Sequence, residues 1–181
     1  INGSIIPNDD IIKKIQSLKT NEALVGNDKT LAVRLGKQKV SSFNYRDTST
    51  LKQQMLEKKY SSITWPWDIF KFNGENLKAD FELLTKGRKS AKLSTTNHVL
   101  GEEDVFVEKG AKIEFATLNA TTGPIYIGKD TEIMENSAIR GPFALCDHSV
   151  LKMSAKIYGP TTVGPHSKVG GEISNSMILG Y

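Results

Sequence analysis

The chain of 181 residues lacks several features that are typical of secreted and membrane proteins. Its single cysteine, Cys146, excludes an intrachain disulfide. No apolar run approaches the roughly 18 residues that a membrane span requires, and the first residues lack the charged-then-apolar pattern of a signal peptide. We therefore expect a folded cytoplasmic protein that does not enter a membrane.

Familiar catalytic motifs are also missing. The sequence has no Cys-x-x-Cys pair, no His-Glu-x-x-His, no Gly-Lys-Ser/Thr phosphate loop and no Gly-x-Ser-x-Gly elbow. The net charge of +4 is uneven, because residues 1–100 carry 17 Lys+Arg against 10 Asp+Glu, whereas residues 101–181 carry 7 against 10. The basic half could favour phosphorylated ligands, although a solvated surface is the commoner explanation. No basic stripe interleaved with aromatics is present, so no nucleic-acid partner is expected.

The second half of the chain contains a repeat of six residues. Every sixth residue from Ile127 is aliphatic, and the residue four places later is usually small. The aliphatic series is Ile127, Ile133, Ile139, Leu145, Leu151, Ile157, Val163 and Val169. A period of six is neither helical nor a simple strand alternation and is typical of β-solenoids. We predict a left-handed parallel β-helix of hexapeptide repeats over residues 101–181, with three hexads in each triangular coil.

The preceding residues predict a partial α/β segment over 1–62 and a connector with a helix over 63–100. In the segment, Asn8 or Asp9 would cap a helix from Asp10 to Leu18. Strands are predicted at 23–25, 31–35 and 39–45, and a second helix at about 50–59. In the connector, Leu77, Phe81 and Leu84 have helical spacing, and Gly87 suits the end of that helix.

The histidines are His98, His148 and His166. A histidine is the commonest general base in enzymes, and His148 and His166 both fall at turn positions of the repeat. Surface turn residues are the commoner explanation, because the sequence shows no carboxylate partner that would orient either ring. Catalytic residues are therefore left unassigned.

The hexads resemble the left-handed β-helix of the acyltransferase superfamily, and the order of parts is similar to the sugar nucleotidyltransferases that carry a C-terminal β-helix. One such type is the bifunctional N-acetylglucosamine-1-phosphate uridylyltransferase/glucosamine-1-phosphate acetyltransferase. A group of sugar nucleotidyltransferases from Bacteroidetes is more similar still, in stretches spread over the chain: Trp67–Phe70, Leu118–Ala120, Gly123–Gly128 and Ile139–Phe143.

The resemblance implies a substrate-binding segment near the start of the chain. In the wider family a strand ends in Gly-Asp, whose carboxylate helps to bind Mg²⁺. Asn2-Gly3-Ser4 is similar to that segment, with Ser4 in place of the aspartate, and a serine is a poor ligand for a hard cation. No metal-ligating residue is therefore assigned, although Mg²⁺ is implied for the parent protein. Independently of the resemblance, Arg88 and Lys89 follow the predicted connector helix and could hold a phosphate, although a solvated basic helix end is commoner.

Both ends look cut, since the chain begins with Ile1 and the hexads still run at Tyr181. We expect a fragment that is inactive alone, from a parent that joins a sugar 1-phosphate to a nucleoside triphosphate. The alternatives are an acyl-CoA-dependent sugar N-acyltransferase, for which acetyl-CoA is the possible cofactor, and a non-catalytic module that only trimerises or regulates. The resemblance implies a homotrimeric parent. Neither the sugar nor the nucleotide can be read from these residues.

Overall fold

The computed structural model describes residues 1–26, 29–44 and 48–181. Within them, two α-helices and seventeen short strands follow one another as α1 (Asp9–Ser17), β1 (Glu22–Gly26), β2 (Lys29–Arg34), β3 (Lys52–Met55), α2 (Asp68–Thr85), β4 (His98–Leu100), β5 (Val105–Val107), β6 (Lys112–Ile113), β7 (Thr117–Asn119), β8 (Ile125–Ile127), β9 (Glu132–Ile133), β10 (Ala138–Arg140), β11 (Phe143–Leu145), β12 (Val150–Leu151), β13 (Lys156–Tyr158), β14 (Thr161–Val163), β15 (Lys168–Val169), β16 (Glu172–Ser174) and β17 (Met177–Ile178). The chain divides into two compact units, residues 1–66 and 67–181.

The first unit is a three-stranded sheet with α1 packed on one face. The strand order is β2-β1-β3, with β2 antiparallel and β3 parallel to β1. Of the two predicted caps, Asn8 is the one that caps α1, because its side chain accepts a hydrogen bond from the Ile11 amide at 2.9 Å. Ile11 and Leu18 then share one helix face and pack with Leu24 in a core that is closed to solvent.

Two predictions for this unit are wrong. Residues 50–59 do not form a helix, because residues 52–55 pair as β3 with the buried strand β1, and tertiary pairing overrides a weak helix propensity. The Gln54 side chain adds a hydrogen bond to Glu22 at 2.6 Å. The predicted strand at 39–45 is also absent over its described part, where a 3₁₀-helix (Lys37–Lys39) leads into turns. Tyr45 and the predicted turn residues Asn27 and Asp28 lie outside the described residues.

The second unit contains the predicted solenoid. Over residues 98–178 the strands stack in parallel into three sheets that together make about four turns, consistent with a left-handed β-helix. The aliphatic positions of successive coils lie in register, as when Ile139 pairs with Leu118 on one side and Ile157 on the other. Buried as predicted are Ile133, Leu145, Leu151, Ile157 and Val163.

Most small positions of the central hexads are buried as well, and their hydroxyl groups bond to main-chain carbonyls; the buried positions are Thr131, Ser137, Ser149, Ala155 and Thr161. Thr131 donates to the Gly128 carbonyl at 2.8 Å, and Ser149 donates to the Gly164 carbonyl of the next coil at 2.8 Å. Buried polar atoms that keep a hydrogen bond cost little. Phe143 is a large residue at a position that is small in most hexads. It is nevertheless fully buried in the core, in register with Ile125 and Thr161.

Helix α2 packs against the solenoid within the second unit. It contacts β14 and β17, and its buried Asn73 accepts a hydrogen bond from Thr162 at 2.7 Å. Gly74 allows the close approach, because a Cβ atom at this position would lie 3.0 Å from the Pro160 ring. The helix ends at Thr85, and Gly87 follows with a φ of +71°, as the spacing of Leu77, Phe81 and Leu84 predicts.

Candidate functional site

The segment Asn2–Ser4 is held against β2 by the Asn2 main chain and side chain. The Asn2 amide donates to the Leu31 carbonyl at 2.8 Å, and its Nδ2 donates to the Thr30 carbonyl at 3.1 Å. Its Oδ1 accepts from both the amide and the hydroxyl of Ser4, at 3.0 and 2.8 Å. Asn2 is therefore a structural residue that fixes the position of Gly3 and Ser4.

Gly3 is the open point of this segment. It is exposed, and no heavy atom lies within 4 Å of where its Cβ would be. The next residue is tied down, because the Ser4 carbonyl accepts a hydrogen bond from the Ile63 amide at 2.6 Å. A substrate group can therefore approach the backbone at Gly3 without displacing a side chain.

These three residues do not fit a Mg²⁺ site. Mg²⁺ prefers carboxylate and phosphate oxygens in an octahedral arrangement, whereas the segment offers one uncharged hydroxyl and one amide oxygen. That amide oxygen already accepts two hydrogen bonds from Ser4. Among the described residues, no three or more His, Cys, Asp or Glu side chains are grouped so that they could hold a metal.

Arg88 is already committed to other protein groups. Its guanidinium donates to Glu108 at 2.8 Å and to the Leu84 carbonyl at 2.9 Å, and it lies 5.1 Å from the centre of the Phe106 ring. The hydrogen bond from Arg88 lowers the pKa of Glu108, with a smaller contribution from Tyr126. Arg88 therefore joins the end of α2 to the first coil, and its charge is balanced by a carboxylate.

Tyr126 completes this cluster. Its hydroxyl donates to the second oxygen of Glu108 at 2.8 Å, and its ring stacks on Phe106 with centroids 6.0 Å apart. Burial raises the pKa of Tyr126 strongly, and the hydrogen bond to Glu108 raises it further. Tyr126 is thus a neutral donor in the physiological range. Arg88 and Lys89 are both exposed, and the Arg88 guanidinium is paired with Glu108.

The structure places the five predicted substrate-binding residues in different units. Asn2, Gly3 and Ser4 belong to the first unit, whereas Arg88 and Lys89 belong to the second. In each group one side chain is occupied by the fold, namely Asn2 by β2 and Arg88 by Glu108. Gly3, Arg88 and Lys89 are exposed and Ser4 is half-buried, so a substrate could reach these four residues.

A column of polar rings at one corner of the solenoid was missed at the level of the sequence. His148 and His166 stack with centroids 4.9 Å apart, and Asp130 Oδ2 lies 3.9 Å from His148 Nδ1. The sequence contains the signal, because residues 130, 148 and 166 are spaced by 18, which is one coil of three hexads. Each of the three has a positive φ between 52° and 59°, so all occupy the same turn position.

Cys146 lies beside this corner and is half-buried. Burial raises the pKa of its thiol, and the neighbouring Asp147 carboxylate raises it further. A thiol with a raised pKa is a poor nucleophile. The turn position of Cys146 is therefore structural in character.

The sequence comparisons concern the first half of the chain. Residues 1–89 match the model of a family described as sugar nucleotidyl transferase. The match includes all five predicted substrate-binding residues and ends directly after Arg88 and Lys89. No curated protein sequence matches the chain. Residues 1–89 are thus similar to a sugar nucleotidyl transferase domain, and a parallel β-solenoid follows them. In the described part of the chain, neither helix is long and apolar enough to cross a membrane.

Proposed function

We propose that this chain belongs to an enzyme that makes nucleoside diphosphate sugars from a sugar 1-phosphate and a nucleoside triphosphate. The observation that carries the proposal is the match of residues 1–89 to the sugar nucleotidyl transferase family. The solenoid with its α/β segment supports it, because this order of parts resembles the bifunctional uridylyltransferase/acetyltransferase type and the group from Bacteroidetes. Cytoplasmic location is part of the proposal, since both substrates are cytoplasmic metabolites.

In this reaction a phosphate oxygen of the sugar 1-phosphate forms a bond to the α-phosphorus of the triphosphate. The bond between the α-phosphorus and the bridging oxygen breaks, and pyrophosphate leaves. Catalysis depends on groups that offset the charge on the transferring phosphoryl. Gly3 would let a phosphorylated substrate approach the backbone, Ser4 would offer one hydroxyl, and Lys89 would offer one charge.

Mg²⁺ would supply further charge neutralisation when bound. We propose that carboxylates outside the segment Asn2–Ser4 hold the Mg²⁺ ion, because Ser4 stands where the family resemblance places an aspartate. The 181 residues would then act only as part of a longer polypeptide. Arg88 would contribute through its contacts with Glu108 and not as a phosphate ligand, since its charge is already paired.

The test is a nucleotidyltransfer assay on the longest available polypeptide that contains this chain. Pyrophosphate and nucleoside diphosphate sugar would be measured together over a panel of sugar 1-phosphates and nucleoside triphosphates. We expect stoichiometric products for one pairing, a raised KM for the sugar phosphate in Lys89→Ala, and an unchanged KM in Lys92→Ala as the matched control. Absence of turnover with every pairing would refute the proposal.

A second function, acyl-CoA-dependent acyl transfer to a sugar amine or hydroxyl, is favoured by one observation. Asp130 Oδ2 lies 3.9 Å from His148 Nδ1, and a histidine is the side chain that most often acts as a general base on an acceptor group. With acetyl-CoA as donor, His148→Ala should abolish transfer if this reaction occurs. Activity that survives in His148→Ala would remove this histidine from the mechanism.

We also propose that the parent is a trimer that associates through the solenoid. Helix α2 packs on the sheet of β14 and β17, so the proposed trimer contact would use a face of the solenoid outside this packing. The exposed side chains Phe115, Met153 and Tyr158 provide apolar contact area on the solenoid. Sedimentation at micromolar concentration should give three times the mass of one chain, and a monomer throughout that range would refute the assembly.

A further inference from the structure

A groove in the first unit lies apart from the residues considered above. One wall is a stripe of α1 formed by Asp10, Lys13, Lys14 and Ser17, whose spacing places them on one helix face. The other wall is the chain that follows β3, residues 55–58. The volume of about 520 Å³ lies within the range of small-molecule sites, which is about 300–1,000 Å³.

We propose that this groove binds a small organic phosphate, either a phosphate ester or a diphosphate. The charges of the groove carry the proposal. Three lysines line it, and among the described residues only Lys58 forms an ion pair, because its Nζ lies 2.8 Å from Asp10 Oδ2. Within the described residues, Lys13 and Lys14 have no carboxylate within 4.0 Å. Two ammonium groups from one helix face are thus left for an anion, beside a single further acid, Glu57.

The Asp10–Lys58 ion pair gives the groove its shape. It links α1 to the chain after β3, which are the two walls. The hydrogen bond from Lys58 is the main cause of the lowered pKa of Asp10, and the charge of Lys13 lowers it by a smaller amount. The pair of Asp10 and Lys58 therefore links the two walls, while the charge of Lys13 is partly offset by Asp10 without an ion-pair contact.

The apolar part of a ligand also has a surface in this groove. Met55 is 56% exposed, and the adjacent Leu56 is anchored in the core of the unit with its amide bonded to the Val25 carbonyl at 2.8 Å. A preformed apolar wall beside a few charged groups is the usual composition of a ligand site. A bare inorganic ion would leave this wall unused, whereas a sugar or a nucleobase attached to phosphate would cover it.

The inference is independent of the proposed function. None of the residues Asn2, Gly3, Ser4, Arg88 and Lys89 lines the groove. A ligand here would occupy a site additional to any reaction centre, and catalysis is not needed to detect it.

The test is a titration of the 181-residue chain with three probes: inorganic pyrophosphate, uridine monophosphate and glucose 1-phosphate. Heteronuclear NMR at fixed ionic strength would follow the amides of α1 and of residues 55–58. We expect at least one probe to shift them in a saturable manner, and the identity of that probe distinguishes a nucleotide, a sugar phosphate and a diphosphate. The double variant Lys13→Ala/Lys14→Ala should weaken binding about tenfold, the combined effect of two exposed charge contacts.

The matched control is Lys37→Ala/Lys39→Ala, which removes the same charge from the exposed 3₁₀-helix of the same unit. All four lysines are exposed, so both double variants should keep the wild-type circular dichroism spectrum. Binding that persists in the control supports a defined groove. The proposal is overturned if no probe shifts α1, or if both double variants weaken binding equally, since general attraction to a basic surface would then explain it.

Discussion

The contact between Asn73 and Thr162 tests how α2 is attached to the solenoid. Asn73 is only 4% exposed, its Oδ1 accepts from the Thr162 hydroxyl at 2.7 Å, and its Nδ2 reaches the Pro160 carbonyl at 3.4 Å. Asn73→Ala removes the short bond and the weaker long one. A buried polar group left without its partner costs about 1–3 kcal/mol, so this variant should destabilise the docking of α2 by roughly 2 kcal/mol.

A double-mutant cycle isolates the short bond. Thr162→Val removes the hydroxyl with little change of shape and leaves Asn73 Oδ1 unpaired, which should cost about 1–2 kcal/mol. Because both single variants lose the same bond, the double variant should be less destabilised than their sum by about 1 kcal/mol. Hydrogen exchange of the α2 amides measures this local free energy without requiring the whole chain to unfold in one step.

Asn76 provides the control on the same helix. Its side chain donates to the Phe72 carbonyl within α2 at 2.8 Å, so Asn76→Ala should show no coupling to Thr162→Val. A coupling energy near zero between Asn73 and Thr162, equal to that of the control pair, would refute the view that this bond holds the helix in place.

Three further predictions follow from packing and charge. Gly74→Ala gains about 1 kcal/mol of helix propensity, but its Cβ would meet the rigid Pro160 ring at 3.0 Å. Thermal unfolding should therefore show an unchanged free energy of unfolding or a loss of up to about 2 kcal/mol, and a clear stabilisation would mean that α2 can shift. Leu151→Ala should lower the unfolding free energy of the solenoid by about 3–5 kcal/mol, since Leu151 is fully buried, and an effect below about 1 kcal/mol would contradict the stacked core. Glu108 has a lowered pKa in the folded chain, chiefly because Arg88 donates a hydrogen bond to it. The ionised carboxylate therefore stabilises the fold above its unfolded pKa, and this stabilisation is lost as the pH falls through its folded pKa. The stability of Glu108→Gln should fall less steeply over this pH interval, and a profile equal to that of the wild type would show that the pair contributes nothing.

The sequence alone determined the solenoid, because its periodic signal is repeated many times. Each coil must bury an aliphatic residue such as Leu151 every sixth position and place a small residue such as Ser149 beside it. A residue of the wrong size or polarity at any one position would disturb the packing of the coils above and below it. The cap of α1 by Asn8 was equally readable, since a capping hydrogen bond joins residues only three apart.

Only the tertiary structure determined the partners of single polar and charged side chains outside the repeat. Residues 52–55 form a strand because β1 lies next to them. The residues that flank Gln54 do not indicate that its side chain donates a hydrogen bond to Glu22. Arg88 meets Glu108 across 20 residues, and this ion pair cannot be read from the residues that flank Arg88. The physical reason is the same in both cases: short-range periodicity reports which face of an element is buried, whereas the partner of a single charge or amide depends on which distant segment the fold brings to it.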